Sequence, residues 1–386
     1  MEKLLSHTNF TLNKMNNLIL INLNTTWNIY NFRLSLIQEL QKKGFKVAAL
    51  APRDSFTSKL EDIGVECFHI NLNPKGTNPI SDLRLVYQYY KIFKELKPII
   101  ILSYTIKPNI YGNIAARLLK IPTINNISGL GTLFIKASLT TYMGKLLYTL
   151  SLVNSTHVFF QNKDDQRLFI ENRLVKSSIT SLIPGSGVDV EKFNCNRFKN
   201  KGNKFLFVGR LLADKGVFEY LEAAVSVLLK HPEKEFLLVG ELGYRNKTAL
   251  SKKQLEKYTN KYSQIKYLGK TDDMVGLLNM IDVIILPSYR EGLPKSLIEA
   301  EAMKLPIIST DVPGCRDVVE HEVNGFLCEA KSKHSLEKAI YSMISLTENQ
   351  RLEYGLNGRN KVINEFSSKI VNKIYLDKIN QIIKFT

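Results

Sequence analysis

Residues 283–303 read VIILPSYREGLPKSLIEAEAM, and this stretch carries the pattern that indicates the fold class. An apolar run of strand length, 283–286, passes through a loop with Gly292 and Pro294 into a helix that begins near Lys295. Proline suits the start of a helix because its missing N–H would be unpaired there anyway. Repeated along a chain, this order of strand, loop and helix is typical of parallel sheets with right-handed crossovers.

Both halves of the chain begin with this order of elements. The predicted segments are strand 18–24, loop 25–28, helix 32–43 and strand 47–51 in the first half, and strand 204–208, loop 209–216, helix 217–230 and strand 236–239 in the second. Further strands are predicted at 99–102, 123–127, 157–161, 283–286 and 307–310. The sequence therefore predicts an α/β protein with two doubly wound domains, in which ligands bind at the carboxyl ends of the strands.

A polar stretch separates the two halves. Residues 194–203, NCNRFKNKGN, have no apolar periodicity and are the predicted linker. The predicted domains are 1–195 and 196–366. The last segment, 367–386, has helical spacing of its isoleucines and is predicted to be a separate C-terminal helix.

The composition is that of an ordinary globular protein. Apolar residues make up 44% of the 386 residues and charged residues 23%, which excludes a disordered tail, a collagen-like fibre and a coiled-coil rod. No apolar run approaches the roughly 18–20 residues of a membrane span. Residues 1–17 lack the apolar stretch of a signal peptide, so we expect a cytoplasmic protein. The four cysteines form no CxxC pair, and neither a disulfide framework nor a zinc site is expected.

The charge balance is strongly basic. With 53 Lys and Arg against 36 Asp and Glu, the net charge is +17, which suits either nucleic acid or an anionic membrane surface with anionic substrates. Two stretches, 83–97 and 133–153, mix aromatic, apolar and basic residues in a way that fits a membrane interface. Ordinary amphipathic helices with solvated lysines are the alternative, and the residues alone leave both open.

The loop and helix start at 287–299 have the chemistry of a nucleotide-sugar site. The N–H groups of Lys295 and Ser296 would point out of the helix start and suit a phosphate. Glu291 and Glu299 flank this position and are better suited to accept hydrogen bonds from sugar hydroxyls than to bind phosphate. The alternative is a solvated loop acid and a surface helix acid.

A second candidate stretch is FLFVGRLLADKG at 205–216. Arg210 and Lys215 flank a strand-to-helix loop, where two cations can neutralise a departing pyrophosphate. The alternative is a solvated basic loop.

Together these motifs resemble the retaining glycosyltransferases of the GT4 family. The matching segments are REGLPKSLIEAEAMKLPIISTDVPG at 290–314, VGRLLADKG at 208–216, IPGSGVDVEKF at 183–193 and EVNGFL at 322–327. The resemblance implies a GT-B fold, in which two Rossmann-like domains face a central cleft. It also implies that the first domain binds the acceptor, that the second binds the nucleotide sugar, and that the C-terminal helix crosses back to the first domain.

The resemblance also implies roles for individual residues. Arg210 and Lys215 would hold the donor diphosphate and Glu291 the hydroxyls of the transferred sugar, which makes these three the catalytic candidates. The donor-binding candidates are the backbone of Gly292, Leu293, Pro294, Lys295 and Ser296, then Glu299 for the ribose and Lys270 for the base. Neither a cofactor nor a metal is implied.

The first half is similar to the GT4 branch that extends undecaprenyl-diphosphate-linked glycans, through residues 25–47 and 125–134. This implies a peripheral enzyme on the inner face of the cytoplasmic membrane, with Arg33, Ser128 and Gly129 on the acceptor side. Many members carry a Gly-Gly turn where this chain has NTTW at 24–27, and a histidine where it has Ser128. A catalytic histidine is therefore not assigned.

The expected activity is retaining transfer of a hexose or N-acetylhexosamine from a UDP-sugar to a polyprenyl-diphosphate-linked saccharide. The open alternatives are a GT4 transferase with a soluble or protein acceptor, a GT-B epimerase, and a basic nucleic-acid-binding module. The last would require arginine clusters beside stacking aromatics. Lysine dominates here, and the aromatics lie within apolar helices.

Overall fold

The computed structural model describes residues 17–384 except 74, 75, 77, 131–138, 154, 244, 245 and 247. It divides into two compact domains. The first holds the described residues up to Ser186 together with those from Val371, and the second is Gly187–Ile370. Parts of three predicted stretches, 1–17, 125–134 and 133–153, lie outside the described residues.

The first domain is built on a seven-stranded sheet in which every pairing is parallel. The strands are β1 (Leu18–Asn22), β2 (Lys46–Ala51), β3 (Glu66–His69), β4 (Ile100–Tyr104), β5 (Thr123–Ile127), β6 (His157–Phe160) and β7 (Thr180–Leu182). Their order is β3-β2-β1-β4-β5-β6-β7, so the direction of winding reverses between β1 and β4. Strands covered on both faces need continuous apolar runs, which is what made most of them predictable.

Helices cover both faces of this sheet. They are α1 (Thr26–Lys42), α2 (Thr57–Glu61), α3 (Pro79–Leu96), α4 (Asn113–Leu118), α5 (Leu139–Leu152), α6 (Lys163–Glu171) and the C-terminal α14 (Ser368–Lys384), with a π-helical turn at Pro108–Gly112 before α4. One core lies under α1 and α14, and the other lies under α3, α4, α5 and α6. The helices α4 and α5, which connect β4, β5 and β6, pack on one face of the sheet, and α14 covers the other face. There Tyr375 is fully buried and accepts a hydrogen bond from Asn126 Nδ2 at 2.9 Å.

Helix α1 begins earlier than predicted. The sequence suggested a loop at 25–28 and a helix from residue 32, but the helix begins at Thr26. Thr25 is the N-cap, because its side chain accepts a hydrogen bond from the Asn28 N–H at 3.0 Å. Threonine is among the residues favoured at this position. The residues NTTWN therefore contain the capping signal for a helix that begins at Thr26.

The second domain has a six-stranded, all-parallel sheet. Its strands are β8 (Lys204–Val208), β9 (Glu235–Val239), β10 (Ile265–Tyr267), β11 (Val283–Leu286), β12 (Ile307–Thr310) and β13 (Gly325–Cys328). The order β10-β9-β8-β11-β12-β13 again reverses direction between the first strand and its neighbour, here β8 and β11.

Helices surround this sheet over a single apolar core. They are α7 (Val217–Leu228), α8 (Lys252–Thr259), α9 (Met274–Asn279), α10 (Lys295–Ala302), α11 (Cys315–Val318), α12 (Lys333–Ser345) and α13 (Glu348–Lys361), followed by a π-helical turn at Val362–Phe366.

The domain boundary differs from the predicted one between 195 and 196. Residues Val188, Val190 and Phe193 are buried in the core of the second domain. The polar linker of the prediction is also fixed there, since Arg197 donates hydrogen bonds to the backbone oxygens of Ile281 and Leu278, both at 2.8 Å. Polar composition suggested a linker between the domains, whereas Arg197 and Asn200 donate to backbone oxygens within the second domain.

Four strands are not among the segments whose bounds were predicted: β3, β7, β10 and β13. Each has only three or four residues. Segments this short carry too few alternating or apolar positions to stand out from loops.

Candidate active site

The candidate site lies where the second sheet changes direction. Strands β8 and β11 are direct neighbours, with Val283 beside Phe205 and Ile284 beside Leu206. Their carboxyl ends therefore lie together, and this is the position at which open α/β sheets bind ligands. The loops that leave these two ends are 209–216, here called the lysine loop, and 287–294, here called the glutamate loop. They are the two candidate stretches of the sequence.

The structure brings Lys215 and Glu291 together. The Lys215 ammonium forms an ion pair with Glu291 Oε1. Ser288 Oγ donates a hydrogen bond to the same carboxylate oxygen at 2.7 Å. Both charged side chains are more than four-fifths buried, so they are fixed in place rather than solvated. The solvated-loop alternatives for these two residues are therefore wrong.

Two glycines allow the loops to approach each other. Gly216 has a φ of +73°, and a Cβ atom there would lie 2.1 Å from the Pro287 oxygen. Gly314 has a φ of +82°, and its Cβ atom would lie 2.5 Å from the Gly292 oxygen. Glycine is the residue that tolerates both the left-handed backbone and the close contact. Gly216, which follows Lys215, therefore allows the lysine loop to pack directly against the glutamate loop.

The glutamate loop leads directly into helix α10. Pro294 occupies the N-cap, with φ −73° and ψ 106°, directly before the helix start at Lys295 that the sequence predicts. The first backbone hydrogen bonds to its carbonyl come from Leu297 at 3.1 Å and Ile298 at 3.3 Å. The N–H groups of Lys295 and Ser296 therefore come before the first intrahelical donor, at the position where a helix start can bind an anion.

Glu299 is buried on the same helix. It is 8% exposed, and its Oε1 lies 3.4 Å from the ammonium of Lys295, one helical turn earlier. Burial raises the pKa of Glu299, and the nearby Lys295 ammonium opposes that shift. The surface-acid alternative is wrong for this residue, and the carboxylate is available as a fixed hydrogen-bond acceptor at the site.

Arg210 and Lys270 are not part of the ion pair that joins Lys215 and Glu291. Arg210 is exposed, and no hydrogen bond or ion pair joins its guanidinium to another described side chain. Lys270 is also exposed and pairs with Glu241 at 2.8 Å. Both follow strands of the second sheet, β8 and β10, and so lie at its carboxyl edge.

A second layer of contacts behind Lys215 was missed in the sequence. The Tyr289 N–H donates to the backbone oxygen of Asp214 at 2.9 Å, and the Tyr289 hydroxyl donates to the Glu219 carboxylate. Burial, followed by the Glu219 carboxylate, raises the pKa of Tyr289. These contacts tie the lysine loop to the glutamate loop. The only signal in the sequence was the run of polar residues directly after the apolar run of β11.

The acceptor-side candidates belong to the first domain. Arg33 is 5% exposed, and its guanidinium carbon lies 4.0 Å from the centre of the Tyr104 ring. Ser128 is exposed and donates a hydrogen bond to Asn126 Oδ1 at 3.2 Å. Gly129 follows with a φ of +115°, a backbone conformation that favours glycine. All three lie in or beside elements at the carboxyl edge of the first sheet.

The described part of the chain has no metal-binding cluster and no membrane-spanning helix. No group of three or more His, Cys, Asp or Glu residues suited to a metal ion is found there. Among the described helices, none has the length and apolar character needed to cross a bilayer.

The arrangement can bind and stabilise a leaving diphosphate. Lys215 and the start of α10 supply positive charge and N–H donors, while Glu291 and Glu299 supply acceptors for hydroxyl groups. Fixed donors of this kind favour the charge that develops on a departing phosphate.

Family comparisons agree with this chemistry. Residues 18–162 match the family model described as "Glycosyl transferase 4-like", and residues 189–361 match the model "Glycosyl transferases group 1". The two matches cover the first and second domains in turn. The chain therefore belongs to the glycosyltransferases with these two domains.

Two curated relatives match nearly the whole chain. One is the N,N'-diacetylbacillosaminyl-diphospho-undecaprenol alpha-1,3-N-acetylgalactosaminyltransferase of Campylobacter jejuni, 29% identical over 376 residues, or 92% of this chain and 96% of the relative. The other is the UDP-Gal:alpha-D-GlcNAc-diphosphoundecaprenol alpha-1,3-galactosyltransferase of Escherichia coli, 27% identical over 90% of this chain and 95% of the relative.

Solved structures share the fold. A glycosyltransferase from Rickettsia africae superposes with a TM-score of 0.79 at 18% identity, over 96% of this chain and all of that one. HepE of Anabaena, crystallised with UDP and glucose, gives 0.77 at 17% identity, over 94% and 99% of the two chains. The predicted GT-B fold, with two Rossmann-like domains and a C-terminal helix that returns to the first, is confirmed.

Proposed function

We propose that the chain is a retaining glycosyltransferase that moves a hexose or N-acetylhexosamine from a UDP-sugar to a polyprenyl-diphosphate-linked saccharide. The observation that carries the acceptor class is the pair of nearly full-length relatives, both named for transfer to diphospho-undecaprenol-linked sugars. The name of the second also supports a UDP-sugar donor.

In this proposal the second domain holds the donor. Lys215, Arg210 and the N–H groups at the start of α10 bind the diphosphate, and the charge that develops on the departing UDP is stabilised by them. Glu291 binds hydroxyls of the transferred sugar, and its ion pair with Lys215 fixes the sugar-binding and phosphate-binding groups relative to each other. Glu299 accepts hydrogen bonds from the ribose, and Lys270 lies beside the base.

The acceptor requires access to a membrane, and helix α5 supplies the best surface for it. Four apolar residues on this helix are exposed at near-helical spacing: Tyr142, Met143, Leu146 and Leu150. The opposite side of α5 is buried through Tyr148 and Leu152. A helix with one buried and one exposed apolar side fits the lipid interface, into which it can insert its outer side.

Helix α3 supports the same orientation. It packs on the same core as α5 and exposes Ile80, Leu83 and Tyr87, with the Lys91 ammonium 4.8 Å from the centre of the Tyr87 ring. Lysine and tyrosine together suit the headgroup region. The enzyme would then lie on the inner face of the cytoplasmic membrane, attached without a spanning segment.

The experiment that tests the function measures UDP release. A panel of UDP-sugars is offered with a saccharide on a short-chain polyprenyl diphosphate, and the same saccharide on a neutral aglycone is the control acceptor. We expect release with at least one UDP-hexose or UDP-N-acetylhexosamine, and faster release with the diphosphate acceptor. Equal rates with both acceptors, or release only with a soluble small-molecule acceptor, would contradict the proposed acceptor class.

A soluble acceptor is the second candidate. N-acetyl-alpha-D-glucosaminyl L-malate synthase of Bacillus anthracis is 30% identical over 59% of this chain and 58% of its own. Its name describes transfer to malate, and L-malate therefore belongs in the acceptor panel.

A further inference from the structure

Arg33 is a buried cation for which the described residues supply no counter-ion. Only 5% of the residue is exposed, and its Nε has no hydrogen-bond partner among them. Its guanidinium lies on the ring of Tyr104, and no described aspartate or glutamate forms an ion pair with it. Within the described part of the chain, this arrangement leaves the positive charge of Arg33 uncompensated.

Such an arrangement is costly unless a ligand completes it. Buried charges in proteins are normally paired or hydrogen-bonded, because removal from water strongly disfavours an isolated charge. Contact with an aromatic face recovers only part of that cost. The remaining donors of the guanidinium fork suit a planar or tetrahedral oxyanion, bound through two N–H groups at once.

The position of Arg33 indicates which anion is bound. Tyr104 is the last residue of β4, and β1 and β4 are the neighbours between which the first sheet changes direction. Ligands of open α/β sheets bind at this edge. Two further groups lie beside Tyr104: Tyr375 of α14, whose ring contacts the Tyr104 ring, and the amide of Asn126 in β5, which donates to the Tyr375 hydroxyl. Neither group carries a negative charge.

We propose that Arg33 binds the diphosphate of the polyprenyl-diphosphate-linked acceptor. This inference rests on the proposed function and deepens it. The donor diphosphate already has Lys215, Arg210 and the start of α10 in the second domain. The acceptor diphosphate is the other anion of the reaction, and Arg33 is a buried cation of the acceptor-side domain that has no ion-pair partner among the described residues.

The test compares two acceptors in two variants. Arg33→Met removes the charge and keeps a long apolar side chain beside Tyr104, whereas Arg33→Lys keeps the charge and loses the planar fork. With the polyprenyl-diphosphate saccharide, Arg33→Met should raise the acceptor KM by about 10- to 150-fold, the range for one hydrogen bond to a charged group. With the neutral-aglycone saccharide, and for the donor KM, the change should stay within about twofold of wild type.

A matched control removes a charge from the same helix. Lys42 is exposed in the last turn of α1, and Lys42→Met should leave both acceptors within about twofold of wild type. Arg33→Lys should lose preference for the diphosphate acceptor only in part. An equal loss of both acceptors in Arg33→Met, or a rise in the donor KM instead, would overturn the proposal.

A purely structural role for Arg33 makes a different prediction. If its stacking on Tyr104 mainly holds the fold, Arg33→Met should unfold at lower temperature and alter the emission of Trp27, the single tryptophan of the chain and a residue of α1. If Arg33→Met fails to fold, Arg33→Lys decides, because an unchanged ratio of diphosphate to neutral acceptor in that variant would contradict the proposal. Failure of the proposed function would give a different result from failure of this inference, since the wild-type enzyme itself would then show no preference for the diphosphate acceptor.

Discussion

At the residue scale, the ion pair between Lys215 and Glu291 makes the two signature motifs interdependent. The lysine loop follows β8 and the glutamate loop follows β11, and the pair joins them across neighbouring strands. Removal of either partner leaves the other buried and charged, which is itself destabilising. Substitutions at these two positions therefore require a stability measurement beside the kinetic one.

Glu291→Ala should abolish transfer, because in the proposed function its carboxylate binds the reacting sugar. Glu299→Ala should mainly raise the donor KM, since Glu299 is assigned to the ribose. Steady-state kinetics of UDP release distinguish the two, with the exposed Glu353→Ala as a matched control expected to resemble wild type. Turnover of Glu291→Ala near the wild-type rate would show that the site assignment is wrong.

Arg210→Ala should lower kcat by about 10²–10³, the usual scale for the loss of one electrostatic stabiliser of a transition state. Because Arg210 is exposed, the melting temperature should not change. Lys215→Ala should give a similar kinetic loss together with a lower melting temperature, because the buried Glu291 carboxylate loses its lysine partner. A loss of less than tenfold in kcat for both variants would remove these cations from the mechanism.

His157 gives the first domain a pH-dependent stability. It is 5% exposed, its Nε2 lies 2.8 Å from Ser181 Oγ, and burial, with a smaller contribution from Lys378, lowers its pKa from 6.5 to about 4. Between these values the unfolded chain binds a proton that the folded chain does not. Stability should therefore be fully present above pH 6.5 and fall towards pH 4, by up to about 1.4 kcal/mol per pH unit.

His157→Gln should flatten this dependence. Urea unfolding followed by Trp27 emission reports on the first domain, and it is compared at pH 4.5 and 7 for wild type, His157→Gln and the exposed-site control His334→Gln. We expect the control to keep the wild-type slope. If His157→Gln also keeps it, another group causes the loss of stability in acid.

At the element scale, most strands and the starts of α7 and α10 were predictable, whereas the start of α1 was not. The bounds of β5, β8, β11 and β12 agree with the sequence prediction, and in β8 and β11 the signal is the continuous apolar run of a strand buried on both faces. The start of α1 was missed by six residues, since it depends on one hydrogen bond that the Thr25 side chain accepts and not on periodicity. The ion pair of Lys215 and Glu291 was likewise beyond the sequence, because it depends on which strands are neighbours.

Helix α5 carries the prediction on membrane attachment. The double substitution Leu146→Asp with Leu150→Asp should abolish sedimentation with anionic vesicles, because it places two charges on the exposed apolar side. Wild type should sediment at low salt and be released near 1 M salt, since each lysine or arginine near the surface contributes about 1 kcal/mol that salt screens. Leu229→Asp, at a leucine that is 76% exposed in the second domain, is the matched control. Undiminished sedimentation of the double variant would exclude α5 as the attachment site.

At the scale of the whole molecule, the duplicated order of elements predicted two domains but not their boundary. Residues after Ser186 already belong to the second domain because Val188, Val190 and Phe193 fill its core. The return of α14 to the first domain was implied by resemblance, and its physical basis is the sheet face that it covers. Covering that face makes the first domain depend on residues at both ends of the chain.

The whole reaction makes a stereochemical prediction that depends on which carboxylates lie on the acceptor side. An inverting transferase needs a general base there, and a double-displacement enzyme needs a carboxylate nucleophile. The sequence offers none at 25–28 or 125–131. Among the described residues, Asp54 lies beside the first of these stretches, and its two oxygens accept from the Thr26 hydroxyl and from the Trp27 and Phe56 N–H groups.

Asp54 is therefore occupied as a cap of α1 and its neighbouring loop, and it is unsuited to act as the base or the nucleophile. What remains is front-face attack, in which a phosphate oxygen of the departing UDP takes the proton from the acceptor hydroxyl. Attack on the face from which the leaving group departs retains configuration. Because UDP-hexoses of the gluco and galacto series are α-linked, we expect an α-linked product, measured by NMR of its anomeric proton. A β-linked product, together with loss of activity in Asp54→Asn, would identify Asp54 as a base and contradict the retaining mechanism.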